Sequence, residues 1–277
     1  METSMKVRRH TWEWIVTVCA ALFFIVPLLA MARFALQRVP MSLLGRKTLF
    51  TRWTIDGVVN IVQNEDFIKA LWLSVRIGLL TATSVLLLMI PTMLWLHLRA
   101  NKLRLVAETL SLLPYVVPPI ALVVGVSGAF RSIFPWIITS NFGLVPLYVI
   151  LCLPFAYRTL DAGLEAIDLR TLVDASSSLG ASPVTTLVRI LIPNLWVSIA
   201  SAAFLGFAVV LGEFAISSLL LKPTLPMFMV QAQGQEPQGA MAVGLLLLLF
   251  TTLLFFLIGR LRKRHVHLHQ SPLKGPL

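Results

Sequence analysis

The sequence predicts an all-α polytopic membrane protein with six transmembrane helices. Three observations predict it. Of the 277 residues, 57% are hydrophobic and only 13% are charged, whereas a soluble domain of this size is about a quarter charged. The mean hydropathy is +0.86. Long apolar runs recur six times along the chain, each close to the roughly 20 residues that carry a helix across hydrocarbon.

The runs predict spans near residues 12–36, 69–98, 105–130, 142–160, 195–221 and 240–260, all within one membrane domain covering 1–277, with a loop over 161–194. The first run has no small-residue cleavage site after it, so it is expected to stay in place as a span that also directs insertion. In the loop that follows, Phe50 to Asp56 leads into Gly57–Val62, which reads as a short amphipathic helix near the outer surface. Arg76 lies near the outer end of the second span and is expected to snorkel. Pro114, Pro118 and Pro119 interrupt the third span, and Pro146 and Pro154 the fourth. Each proline removes a backbone hydrogen bond that lipid cannot replace, so neighbouring helices or a water-filled path must compensate. Pro118 and Pro119 are therefore candidate pathway residues, with kinking for packing as the alternative. The fourth run is short, and Thr159–Leu160 can extend it while Arg158 snorkels.

Orientation follows from the basic residues. Both tails and the loops after the second and fourth spans carry fourteen Lys and Arg, and the opposite face carries seven. Positive charge collects on the cytoplasmic side, so both termini are expected in the cytoplasm, with the lipid bilayer as the chain's solvent. The same rule accounts for most of the net charge of +11. The basic residues are spread over loops without interleaved aromatics, which argues against nucleic acid as a partner.

Chemistry within this chain is not expected. Cys19 and Cys152 sit inside apolar runs without metal or disulfide spacing. His265, His267 and His269 alternate in the basic tail, but no Cys or Asp stands near them, so a solvated tail is expected and no metal site. No zinc-protease or nucleophile–base constellation is present, and no glycine-rich phosphate loop. There is no candidate catalytic residue, no cofactor is expected in this chain, and any ATP must be bound by another polypeptide. Secondary transporters often show internal repeats and several intramembrane charges; six spans with one acidic residue make a poor case for one, and it stands as the lesser alternative.

The informative stretch lies in the loop after the fourth span. Asp168 can cap a helix starting at Leu169. That helix is expected to run to Leu179 and stop at Gly180 in a left-handed conformation. Ser182 and Pro183 then supply a cap and a first-turn proline for a second helix, which Pro193 ends or kinks near the membrane. Two short helices bent at Gly180 have no role inside a bilayer, and a partner surface is their natural use.

Asp174-Ala175-Ser176, three residues, Gly180, nine residues, Ile190, one residue and Ile192-Pro193 resemble the EAA loop of binding-protein-dependent ABC importer permeases. Asp stands for the family's Glu, Ser for its second Ala and Ile for its Leu, while the spacing is intact. The resemblance implies a type I importer permease fold whose cytoplasmic loop docks on a separate dimer of ATPase subunits that binds ATP and Mg. It assigns the contact to Asp174, Ala175, Ser176, Gly180, Ala181, Ser182 and Pro183. It further implies a second permease subunit, a paralogue of this chain, and an exported solute-binding protein. Val209 to Leu220, followed by Pro223-Thr224-Leu225-Pro226, resembles the second permease of spermidine/putrescine-type systems, which implies a polyamine-like solute. Permeases for thiamine, ferric iron, sulfate and aminoethylphosphonate have similar segments and stand as alternatives.

Glu213 is the acidic residue well inside the expected fifth span. A carboxylate there should face the bundle interior or a water-filled path, either as a gate and solute contact or as a structural hydrogen-bonding group. Ser217, one turn further on, is expected to share its face.

Overall fold

A computed structural model describes the backbone of residues 2–37 and 53–269, with the side chains of 12–37 and of 53–260 other than Ile258. The described chain divides into two compact units, Met1–Ile68 with Met229–Phe250, and Lys69–Phe228 with Thr251–Leu277. The described residues form helices, with one isolated backbone bridge between Gln37 and Trp53.

In the first unit, α1 (Glu2–Ala35) is one long helix whose apolar stretch is wholly exposed, as a lipid-facing span requires. The expected surface helix is α2 (Asp56–Gln63), which buries Ile61. The stretch Phe50–Arg52 before it lies outside the described residues. Asn60 Nδ2 donates to Glu236 Oε1 at 3.3 Å, tying α2 to the segment that enters the last helix.

The second unit holds most of the core. Its helices are α3 (Glu65–Arg99), α4 (Arg104–Val116), α5 (Pro119–Phe130), the short α6 (Trp136–Thr139) and α7 (Leu144–Glu165). They are followed by α8 (Leu169–Ser178), α9 (Pro183–Thr186), α10 (Ile192–Gly212), α11 (Ala215–Leu219) and α12 (Leu225–Ala232); α12 and the last helix, α13 (Pro237–His269), are shared between the units. The centre of the unit is the pairing of α7 with α10. Small residues let the two backbones approach. A Cβ on Gly163 would overlap Ser198 Oγ, and the Cys152 thiol lies 3.6 Å from the carbonyl oxygen of Gly206. Close approach between small residues is the usual basis of helix association in membranes. Around this seam Ile77, Met93, Leu144, Tyr148 and Leu160 are almost completely buried.

Among the described residues, five helical runs are long and apolar enough to cross a membrane, or six if α4 and α5 count as one bent span. The third span breaks at Val117–Pro118, as its prolines predict, and its halves diverge by 96°. The structure corrects three expectations. The fifth does not continue as helix to 221: α10 stops at Gly212, and Glu213 stands at its end with an extended backbone (ψ 112°). Pro193 does not end the helix that begins at Pro183. A π-helical turn over Leu187–Leu191 joins α9 to α10, so helix runs from 183 to 212. There Pro193 occupies the first turn of α10, and the widened turn absorbs the donor it lacks. Pro146 is no interruption either, since it lies in the first turn of α7 where its missing N–H has no helical acceptor to lose.

Candidate functional site

The hairpin after α7 forms as its residues dictate. The Asp168 carboxylate accepts the Thr171 backbone N–H at 3.3 Å and its hydroxyl at 2.7 Å. These two bonds hold the Asp168 carboxyl below its ordinary pKa and start α8. At the other end Gly180 has φ +76°. The Gly180 N–H bonds the Ser177 carbonyl at 2.9 Å and the Ala181 N–H bonds the Ser176 carbonyl at 3.0 Å. This paired closure of the last turn requires a left-handed residue between helix and exit. Ser182 then caps α9, its Oγ accepting the Thr185 N–H at 3.2 Å, and Pro183 takes the first position.

The two arms are joined by a contact that spacing alone did not reveal. Ser176 Oγ and Thr186 Oγ1 lie 2.8 Å apart, and both residues are buried. The serine at the family's second alanine position thus bonds across the hairpin. Asp174 and Ala175, by contrast, are exposed on the outer side of α8. Leu179, 89% exposed, Val184 and Val188 add apolar surface around the bend. Asp174, Ala175, Gly180, Ser182 and Pro183 are therefore exposed, while Ala181 is partly covered and Ser176 is buried.

Beside the hairpin the ends of α3, α4 and α7 are pinned by charge. Arg104 Nη2 meets Asp161 Oδ1 at 2.7 Å and Glu165 Oε1 at 2.5 Å. His97 Nε2 lies 2.8 Å from the same Asp161 oxygen, and the Tyr157 hydroxyl donates to the Arg104 carbonyl at 2.9 Å. Arg158, expected to snorkel, pairs with Glu108 at 3.0 Å. In the sequence Arg104 shows only as a positive charge beside a span, and Arg158 only as a residue able to snorkel. Their partners lie 50 to 61 residues away, so no local pattern announced them.

The candidate pathway residues lie at two helix breaks. Pro118 precedes α5 and Pro119 is its first residue. Neither has an N–H, so two donors that would be stranded at a helix start are absent. α5 packs against α11, the short helix that follows Glu213 and contains Ser217. Both oxygens of the Glu213 carboxylate accept hydrogen bonds: Oε1 accepts the Ile216 N–H at 3.0 Å, and Oε2 accepts the Ser217 N–H at 3.4 Å and the Tyr148 hydroxyl at 3.0 Å. Ser217 is completely buried, and its hydroxyl donates to the Phe214 carbonyl at 2.9 Å. Lys222 is 6% exposed; its Nζ donates to the carbonyls of Ile138 and Thr139 at 2.6 and 2.9 Å. Arg76 is exposed, with its guanidinium 5.9 Å from the Trp72 ring centroid, within cation–π range. The side chains of His265, His267 and His269 lie outside the described residues.

Comparison with known proteins bears on this arrangement. Residues 74–267 match the family described as "Binding-protein-dependent transport system inner membrane component". A molybdenum transport system permease from Mycobacterium tuberculosis is 29% identical over 215 residues, covering 69% of this chain and 78% of its own length. A second molybdenum permease, from Azotobacter vinelandii, is 30% identical over 55% of this chain and 72% of its own. A sulfate transport system permease from Synechococcus elongatus is 28% identical over 44% of this chain and 46% of its own. The match spans about half the length of the sulfate-permease relatives. These relatives carry sulfate and molybdenum names, where the sequence reading leaned to a polyamine system and kept sulfate as an alternative. A matching profile over most of the chain, a hairpin of the expected spacing and five or six crossing helices give one conclusion: this multi-pass membrane protein belongs to the type I ABC importer permeases, the family of binding-protein-dependent inner membrane components.

Proposed function

We propose that this chain is the permease subunit of an ATP-driven importer for a tetrahedral oxyanion such as sulfate or molybdate. It acts with a second permease subunit, a dimer of ATPase subunits that binds ATP and Mg, and an exported binding protein that delivers the anion. The observation that carries the reading is the hairpin bent at Gly180, with Asp174 exposed beside it. In this reading the turn docks in a groove of the ATPase, and closure of that subunit pushes the helical run 183–212 as one body. The hairpin then transmits force, and the hydrolytic chemistry belongs to the other polypeptide. Both termini lie in the cytoplasm of this inner-membrane protein, as the excess of basic residues favours.

The anionic cargo is supported by the names of the relatives and by the state of Glu213. A cationic amine would want a free carboxylate in the pathway. Both Glu213 oxygens already accept donors from within the chain. Pro118, Pro119, Glu213 and Ser217 lie at the two broken helices, and we assign the solute path to that region, where unwound backbone is tolerated because it borders water or protein. The experiment is uptake of radiolabelled sulfate and molybdate by cells expressing the complex, with spermidine as competitor. Saturable, ATP-dependent uptake of either oxyanion, indifferent to spermidine, is expected. Uptake of spermidine unaffected by both anions would overturn the cargo assignment.

A further inference from the structure

The geometry points to Tyr148 as a positioning residue for transport: its hydroxyl holds the Glu213 carboxylate on the first turn of α11 and so fixes the direction of the chain at the break in the fifth membrane helix. This rests on the importer reading above.

Tyr148 is 1% exposed and sits in the first half of α7. A phenylalanine ring would fill the same apolar space, so the hydroxyl is the group that calls for a reason, and a buried tyrosine oxygen needs a partner. It donates to Glu213 Oε2 at 3.0 Å across 65 residues of sequence. The carboxylate also closes the start of α11 by accepting the Ile216 and Ser217 N–H groups. A carboxylate at this depth is stable only when donors surround it. Tyr148 supplies the one that comes from another helix.

The surroundings separate a rigid seam from a short linking element. α7 and α10 interlock through Gly163 against Ser198 and Cys152 against Gly206, and close-packed seams of this kind resist sliding. α11 is different. It has five residues, follows a backbone that has left the helix, and packs on α5, the second half of the broken third span. The Tyr148 hydroxyl therefore ties the rigid α7–α10 seam, which moves as one body, to the element joining the two breaks. With that tie removed, Glu213 can still cap α11, but the carboxylate loses its hydrogen bond to α7. Movement of α10 would then no longer be passed to α11 and α5 in step.

The test compares the parent, Tyr148→Phe, Glu213→Asp and the double variant, each purified with its ATPase and partner permease and reconstituted with the binding protein. Tyr148→Phe keeps the ring and loses only the hydroxyl. Glu213→Asp keeps the charge but withdraws it by one methylene. Uptake of radiolabelled sulfate or molybdate and ATP hydrolysed per ion are measured together. Each single variant is expected to lower the maximal uptake rate about tenfold, the scale of one hydrogen bond to a charged group, and to raise the ATP consumed per ion. Yield and ATPase co-purification should match the parent, and the double variant should be no worse than either single. Tyr148→Phe with parental coupling, effects that multiply in the double variant, or loss of assembly in Tyr148→Phe would each overturn the proposal. Failure of the parent itself to transport either anion counts against the cargo assignment instead.

Discussion

Gly180 answers two demands that substitution can separate. Its φ of +76° penalises any residue with a Cβ by about 1 kcal/mol or more. Within the chain a Cβ there would meet nothing within 4 Å, so that cost is conformational and not steric. A docked ATPase would add the steric demand. Asn tolerates the left-handed region far better than Val but is equally bulky against a partner. Gly180→Val is expected to leave the membrane helices inserted and to lose both uptake and the co-purifying ATPase. Gly180→Asn is expected to retain the hairpin and still lose most of the ATPase. If Gly180→Val transports normally and keeps its partner, the hairpin is a plain linker. Gly180 was legible in the sequence because its signal is local: a glycine closing a capped helix, followed by Ser-Pro. Glu213 was only half legible. Its cost in lipid marked it, but its donors come from a backbone turn and from Tyr148, and no spacing rule joins residues 65 positions apart.

Among the elements, the hairpin is held shut by the Ser176–Thr186 contact. Both hydroxyls are buried, and a buried hydroxyl deprived of its partner costs about 1–3 kcal/mol. Ser176→Ala restores the family's alanine yet strands Thr186 here, and Thr186→Val takes one partner from Ser176, whose hydroxyl still donates to the Val173 carbonyl at 2.9 Å. Each single substitution is expected to loosen the hairpin, read as faster amide exchange over 169–186. The double substitution removes both hydroxyls and should be milder than the sum of the singles. Additive effects would mean that the contact does not hold the arms together. The breaks in the third and fifth spans teach a related lesson about legibility. Apolar composition continues past Gly212 through Ile216 and Leu219, so hydropathy extended the fifth span to 221, although the backbone leaves the helix at Glu213. Hydropathy counts which side chains lipid tolerates and is blind to where the chain turns. Pro118–Pro119 announced a break without its size. Pro193 announced a stop that the π-helical turn over Leu187–Leu191 removed.

At the scale of the molecule, the bent pair α4–α5 decides the topology. Counted as one span, it gives six crossings and places both ends of the chain on the same side. Counted as a re-entrant loop, it gives five and places them on opposite sides. Lengths favour a crossing. Helix rises 1.5 Å per residue, so the stretches Asn101–Val116 and Pro119–Phe130, set at 96°, reach roughly 25–30 Å end to end, comparable to the ~30 Å hydrocarbon core. The charges agree: Lys102 and Arg104 stand at one end and the single Arg131 at the other, the asymmetry expected of a crossing with its first end in the cytoplasm. The measurement is labelling of single cysteines in a background with Cys19 and Cys152 replaced. Asn101→Cys and Ser132→Cys bracket the pair, and an impermeant maleimide is applied to intact cells and to inverted vesicles. Ser132→Cys is expected to label from outside and Asn101→Cys only from the cytoplasmic face. Labelling of both from one face would make α4–α5 re-entrant, leave five crossings, and put the two termini on opposite sides of the membrane.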